Sequence, residues 1–228
     1  MIEKNLFHIW IGDMSKAPHK WMKTWKDKHK DWNYTLIDNG FFQSYDWKNR
    51  ELIDSYLAEK RYPAVADIIR YQVLHDFGGF IAPADSICLE NIDELMTDEA
   101  IGVYENEVVR PGLISPLYAS KKGGQFAYEL MTNLPKEAPK AQDGRNKAPW
   151  QVTGNAYMRK MYEKTQAKVT ILPSHTFTPI HYTGERYKGD DKVYAVQMWG
   201  TTAEWTKKPV DYYKLWKEGK NENKERVL

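Results

Sequence analysis

The sequence is nearly empty of cysteine. Cys88 is the only one among 228 residues, so no intrachain disulfide can form. Its neighbours Ile87 and Leu89 mark it as a small buried hydrophobe rather than a reactive thiol. Disulfide-stapled folds are excluded, and a reducing, cytoplasmic setting is expected. A charge excess of one sign is also missing. Lys and Arg number 33 against 31 Asp and Glu, a net charge of +2, too little to carry nucleic-acid binding by bulk electrostatics. No apolar run approaches the ~20 residues that a bilayer requires. The chain enters a strand-like run at once, without the apolar stretch of a signal peptide, so a soluble protein is expected. There is no Gly-rich phosphate loop, no Cys/His metal cluster, no hydrolase nucleophile elbow, no internal repeat and no low-complexity linker.

What remains is an ordinary globular composition with a high aromatic share, 14% with nine Trp. That share fits an aromatic-rich core as well as a surface on which sugars or bases stack. The length suits one domain, predicted over residues 1–216 with a charged, fraying tail at 217–228. A chain of this size hides roughly 70% of its unfolded surface. Leu6 to Ile11 reads as a buried strand, and Ser15 as the cap of a helix from Pro18 to about Lys30. On that helix Trp21 and Trp25 share one face and Lys16, Lys20 and Lys23 another. Asn33 to Asp38 alternates as a strand. Lys48 to Leu57 and Val65 to Asp76 are predicted helices, the second stopped by Gly78-Gly79. Strands follow at Phe80 to Ala82, Ile87 to Leu89, Ile101 to Glu105 and Leu113 to Ser120, and a helix at Gln125 to Leu134. Pro135 to Pro149 is a basic, Pro-rich loop. A helix from Pro149 to Lys164 and late strands at Val169 to Leu172 and Val193 to Met198 complete the pattern. Strands alternating with helices indicate an α/β domain with a partly parallel sheet.

One stretch carries chemistry. Asp67 and Arg70 sit i,i+3 on one helix and so share a face. The double glycine ends that helix, and a short apolar strand delivers Asp85 at its carboxyl end, where open α/β sheets bind ligands. A carboxylate there, beside an Asp/Arg pair, can hold a hard cation and a polar ligand. The plain alternative is an intrahelical ion pair and a turn residue. Of the histidines, His8 reads as a strand histidine of the core, His75 as part of an exposed helix face beside Asp76, and His175 and His181 as neighbours of a possible active-site turn.

Ala66-Asp67-Ile68-Ile69-Arg70-Tyr71 followed by Gly78-Gly79-Phe80-Ile81-Ala82-Pro83-Ala84-Asp85 resembles the hallmark of a family of sugar transferases, that of the yeast initiating mannosyltransferase, related to the glucosylating clostridial toxins. That hallmark reads Ser/Ala-Asp-x-x-Arg-Tyr, then Gly-Gly-x-Tyr-x-Asp-x-Asp. Further matches occur in order: His8-Ile9-Trp10-Ile11-Gly12, Trp21 to Trp25, Tyr34 to Asp38, Ala119 to Gly124, Pro149-Trp150-Gln151-Val152-Thr153-Gly154, Phe177-Thr178-Pro179-Ile180, and Tyr194 to Trp199 with Trp205. The resemblance covers about residues 5 to 205. It implies a GT-A type fold, with a Rossmann-like mixed sheet flanked by helices, and a retaining glycosyltransferase using a UDP- or GDP-sugar donor and a saccharide or other hydroxyl acceptor. Asp67 and Arg70 would then bind donor-sugar hydroxyls, and Asp85 would ligate Mn²⁺ or Mg²⁺ on the diphosphate. Trp10 would lie near the base, and Gln197, Trp199 and Trp205 would belong to the closing C-terminal segment.

The pattern is broken at two important places. Pro83 stands where the motif has its first Asp, and Gln197 where it has His; Ile81 replaces a Tyr. Asp85 is left as the one strong metal ligand. Two rival readings follow: a catalytically silent protein that binds nucleotide sugars, and a phage-type transferase acting on modified DNA bases. The second would use the Lys-rich helix near residues 16–30 and the Lys136–Lys147 loop, against the near-neutral net charge.

Overall fold

Strand β1 (Asn5–Ile9) is buried on both faces. Phe7 and Ile9 join one apolar cluster and Leu6 a second, with His8 beside it. Burial on both sides belongs to a central strand of a helix-covered sheet. The computed structural model describes residues 1–143, 147–200 and 210–225, the last five as backbone only. Strand β2 (Asn33–Ile37) pairs parallel to β1, with Leu6 opposite Tyr34, and β3 (Gly79–Ile81) pairs parallel on its other side, with Leu6 opposite Phe80. The short strand β4 (Ser86–Cys88) leaves this sheet. The sheet continues through β5 (Ala100–Asn106), β6 (Arg110–Ile114), β7 (Ala119–Ser120) and β8 (Thr170–Leu172). Its order is β2-β1-β3-β7-β5-β6, with β8 parallel to β5. β4 pairs antiparallel with β9 (Ala195–Gln197) in a separate two-stranded sheet.

The helices are α1 (His19–Lys28), α2 (Asn39–Ser44), α3 (Arg50–Ala58), α4 (Tyr62–Phe77), α5 (Gln125–Glu137), α6 (Pro149–Val152), α7 (Asn155–Thr165) and α8 (Tyr212–Glu225). Helix α4 starts with Pro63 in its first turn, where the missing N–H costs nothing, and buries Val65, Ile68, Ile69, Tyr71, Val73 and Leu74. It is apolar nearly all round because β1, α3 and α5 surround it. On the opposite face Trp25 is fully buried, with Phe80 stacked at 5.4 Å and Phe177 at 6.3 Å.

Several boundaries differ from the expectation, each for a local reason. Ser15 does not cap α1. Asp13 caps a separate 3-10 turn (Met14–Lys16) by accepting from the Ser15 N–H. Helix α2, capped by Asp38, was not predicted, its few residues and Gly40 giving no period. The strand expected from Leu113 to Ser120 is interrupted, since Pro116 between β6 and β7 has no ladder donor. Helix α5 runs past its expected end through Pro135. The Met131 carbonyl that this proline cannot reach accepts instead from Asn49 Nδ2 at 2.9 Å. The helix expected from Pro149 to Lys164 breaks at Thr153-Gly154. Helix α8 continues through Lys217 to Glu225, where fraying was expected.

The double glycine is required by space as well as by dihedral angle. Gly79 has φ +116°, and a Cβ there would lie 2.3 Å from the Asn5 carbonyl oxygen of β1. Gly123 has φ +68° and nothing within 4 Å of such a Cβ. Gly123→Ala is expected to cost about 1–2 kcal/mol, the left-handed penalty alone. Gly79→Ala should exceed the ~0.5–3 kcal/mol of most single substitutions. Equilibrium urea unfolding of the two variants checks the ordering.

Candidate active site

The parallel strands β1 and β3 end on the same side of the sheet. Trp10 follows β1 and Ala82-Pro83-Ala84-Asp85 follows β3. Half-buried Trp10 donates its backbone N–H to Ile37 and its indole N–H to the Asp13 carbonyl, both at 3.0 Å. After β3 the chain turns sharply, and the turn is pinned from inside. Buried Ser86 donates to the Pro83 carbonyl at 2.7 Å and accepts the Trp25 indole N–H at 3.0 Å. The core residue Trp25 thereby sets the position of Asp85.

Asp85 is met from the other end of the chain. Gln197 Nε2 donates to Oδ1 at 2.7 Å, and the Gly200 N–H donates to Oδ2 at 2.8 Å. The Asp85 carbonyl also accepts from the Met198 N–H at 2.7 Å. Burial raises the Asp85 pKa above its ordinary value, opposed by the Gln197 and Gly200 hydrogen bonds. Between these donors Trp199 takes a left-handed conformation, φ +54°, and its indole N–H donates to the Ile180 carbonyl at 3.0 Å. A bulky residue held there marks a constrained segment of the kind that clusters at ligand clamps.

Asp67 and Arg70 are half-buried on one edge of α4. No ion pair joins them among the described residues; each is engaged elsewhere. Asp67 Oδ2 accepts from Thr153 Oγ1 at 3.1 Å. Burial pushes its carboxyl up to about 7, against the Arg70 charge and the Thr153 hydrogen bond. Arg70 donates to the Leu117 carbonyl at 3.3 Å and lies 6.0 Å from the Tyr118 ring centre. Its buried Nε has no partner among the described residues. The buried Tyr118 hydroxyl, pushed up to about 12 by desolvation, feels Arg70, Asp85 and Glu105 together. Tyr118 thus lies within electrostatic reach of Arg70 and Asp85, and Asp67 within reach of Arg70.

Gln197 and the backbone following Trp199 come together with Asp85, whereas Trp10 follows β1 and its indole N–H is bound to the Asp13 carbonyl. Trp205 lies outside the described residues. Sequence reasoning missed Thr153, Gly200, Tyr118 and Glu105 as neighbours of this region. They lie on distant elements, and only Thr153 carries a signal, as the Thr of the Pro149 to Gly154 match. Of the histidines, His8 is fully buried against Trp25 and Tyr34, and desolvation lowers its pKa to about 3. His175 stacks on Tyr187 at 4.0 Å.

Residues 16–101 match the model of a family described as a glycosyltransferase sugar-binding region containing a DXD motif. The matched stretch contains Asp67, Arg70 and Asp85. A solved structure described as PaToxG glycosyltransferase superposes with a TM-score of 0.53 at 17% identity, over 72% of this chain and 70% of that one. The chain thus has the α/β architecture of a GT-A type glycosyltransferase, with a mixed seven-stranded sheet. A search of curated proteins gives no match. Among the described residues no helix is long and apolar enough to cross a membrane.

The donor set also limits the cation. Among the described residues no three His, Cys, Asp or Glu converge on a metal position. Asp85 has one hydrogen bond on each oxygen, which leaves further lone pairs. A hard cation that keeps waters and leans on a diphosphate fits such a single carboxylate.

Asp67 generates a pH prediction. A carboxyl whose folded pKa lies above its unfolded value binds a proton in the native state first. Stability is then lost as pH rises from about 4 to about 7. Asp67→Asn keeps an acceptor for Thr153 and removes the titration. It should flatten that loss and leave the variant more stable than the parent above pH 7. Urea melts at pH 5 and pH 8 measure the difference; equal slopes for both proteins would reject the assignment.

Proposed function

We propose that the protein is a retaining glycosyltransferase moving a sugar from a UDP- or GDP-sugar to a saccharide or other hydroxyl acceptor. One observation carries this reading: Asp85 lies against Gln197 and Gly200 at the sheet end, while Tyr118 is within electrostatic reach of Asp85 and Arg70, and Asp67 within reach of Arg70. In this reading Arg70 uses its rigid fork of donors on sugar hydroxyls, its unpartnered Nε among them. Asp67, with a pKa of about 7, can both donate to and accept from a hydroxyl near neutral pH. Trp10 would lie near the base, and Trp199 would belong to the segment that closes over the donor. Asp85 would hold Mn²⁺ or Mg²⁺ with the Gln197 amide oxygen as its neighbour, the ion neutralising charge on the leaving diphosphate. The bond from the anomeric carbon to phosphate oxygen breaks, the bond to the acceptor oxygen forms on the same face, and the acceptor proton passes to the departing phosphate. No protein general base is needed.

Pro83 and the Gln197 amide on Asp85 favour one alternative, a protein that binds the donor without turning it over. Release of UDP or GDP from a panel of nucleotide sugars with Mn²⁺ or Mg²⁺ separates the two. Turnover establishes the transferase, and calorimetric binding without release establishes the silent reading.

Two substitutions test the assigned roles. Asp85→Ala should abolish metal-dependent donor binding in a folded protein; full transfer activity would refute the role. Arg70→Lys should lose most donor turnover while the protein still unfolds cooperatively, its stability changing by roughly the 0.5–1.5 kcal/mol of the hydrogen bond to the Leu117 carbonyl. Wild-type turnover in folded Arg70→Lys would remove the sugar contact.

A further inference from the structure

Beside the site lies a row of rings and one guanidinium, of which the donor reading above takes only Trp199. Trp150 begins the row. A Cβ built on Gly154 would lie 3.1 Å from Trp150 Cα and 2.8 Å from Asp67 Oδ2, so Trp150 abuts the Asp67 side. Arg110 stands 4.6 Å from the Trp150 ring centre and donates through Nη2 to the Tyr182 hydroxyl at 3.0 Å. The Tyr182 ring meets Trp199 edge to face at 5.1 Å. Trp199 directly precedes Gly200, which holds Asp85. All four side chains are half-buried, with the Arg110 side chain 28% exposed. The row therefore runs from the Asp67 side of the site to the Asp85 side.

Its middle is anchored from below. Glu105, 9% exposed, takes Arg110 Nε at 3.3 Å and His181 Nε2 at 3.4 Å on Oε1, and Asn155 Nδ2 at 2.7 Å on Oε2. Fully buried His181 contacts the Thr183 hydroxyl through Nδ1 at 2.8 Å. This carboxylate fixes the plane of the Arg110 guanidinium and offsets its charge. The Nη1 group has no partner among the described residues, so directed N–H donors remain without a net attraction for phosphate. Neutral hydroxyl oxygens are the matching acceptors, and flanking aromatic faces suit the C–H face of a pyranose.

We propose that Trp150, Arg110 and Tyr182 form the acceptor subsite, that its occupant is a neutral pyranoside, and that Glu105 positions Arg110 within it. This deepens the transferase reading and names its acceptor class. A nucleic-acid acceptor is disfavoured by the neutralised guanidinium.

The test is direct binding. The intact chain is labelled with fluorotryptophan and titrated with methyl glucosides, galactosides and mannosides, with UDP and GDP as controls. The Trp150 resonance, assigned through Trp150→Phe, is expected to shift with at least one glycoside and not with either nucleotide. In saturation-transfer difference measurements Trp150→Ala and Arg110→Lys should each bind that glycoside at least tenfold more weakly, with melting temperatures checked beforehand. If no glycoside moves the Trp150 signal, if UDP or GDP moves it instead, or if the folded variants bind as the parent does, the subsite is refuted. Nucleotide release from donor is read on the same protein. Glycoside binding without any release would sink the transferase reading and leave the platform standing.

Discussion

The carboxylate of Asp85 is held by groups 112 and 115 residues further along the chain, the Gln197 amide and the Gly200 N–H. This contact joins the early parallel sheet to the late C-terminal segment, and the site depends on it. The antiparallel pairing of β4 with β9 sets Ser86 opposite Gln197, which brings the segment to the carboxylate. Behind the carboxylate, the hydrogen bonds from Trp25 to Ser86 and from Ser86 to the Pro83 carbonyl fix the turn against the core. Leaving such buried partners unpaired costs about 1–3 kcal/mol each, so the turn has one preferred geometry.

The same logic continues around the site. Asp67 is tied to Thr153 at the break between α6 and α7. Two residues on, Asn155 opens α7 and reaches Glu105. Glu105 meets Arg110 and His181, and the His181 ring lies edge-on to Trp199 at 5.1 Å. Trp199 leads back to Gly200 and Asp85. The perimeter is a circuit of hydrogen bonds and ring contacts, each resting on a sheet or helix end. Most of its polar groups are paired; among the described residues the buried Arg70 Nε and the Arg110 Nη1 group have no partner. A buried polar network that is nearly satisfied specifies geometry strongly.

The legible part of this arrangement is the part encoded locally. The apolar runs at β1 and β3, the burial pattern of α4, and the double glycine between α4 and β3 can each be read within a dozen residues. They place Asp67, Arg70 and Asp85 on the correct elements. The illegible part is encoded by tertiary contact. Glu105 looks like the end of an ordinary strand, and its partners Arg110, Asn155 and His181 share no spacing with it. Thr153 interrupts a helix that reads as continuous, because the packing of Tyr71 against its carbonyl, at 2.7 Å, is invisible in the local pattern. Pro135 reads as a helix stop, yet Asn49 rescues the freed carbonyl from 82 residues away.

The central claim is that Asp85 and the Gln197–Gly200 segment together meet the donor diphosphate. Paramagnetic line broadening by Mn²⁺ in the presence of a UDP- or GDP-sugar tests it most directly, with each backbone amide as a probe. The account predicts that donor and ion together broaden the amides of Asp85, Ser86 and Gly200 first, well below the ion concentration needed without donor. Broadening confined to exposed carboxylates such as Asp27 or Asp31, with the Gly200 amide untouched in the donor-bound protein, would contradict it.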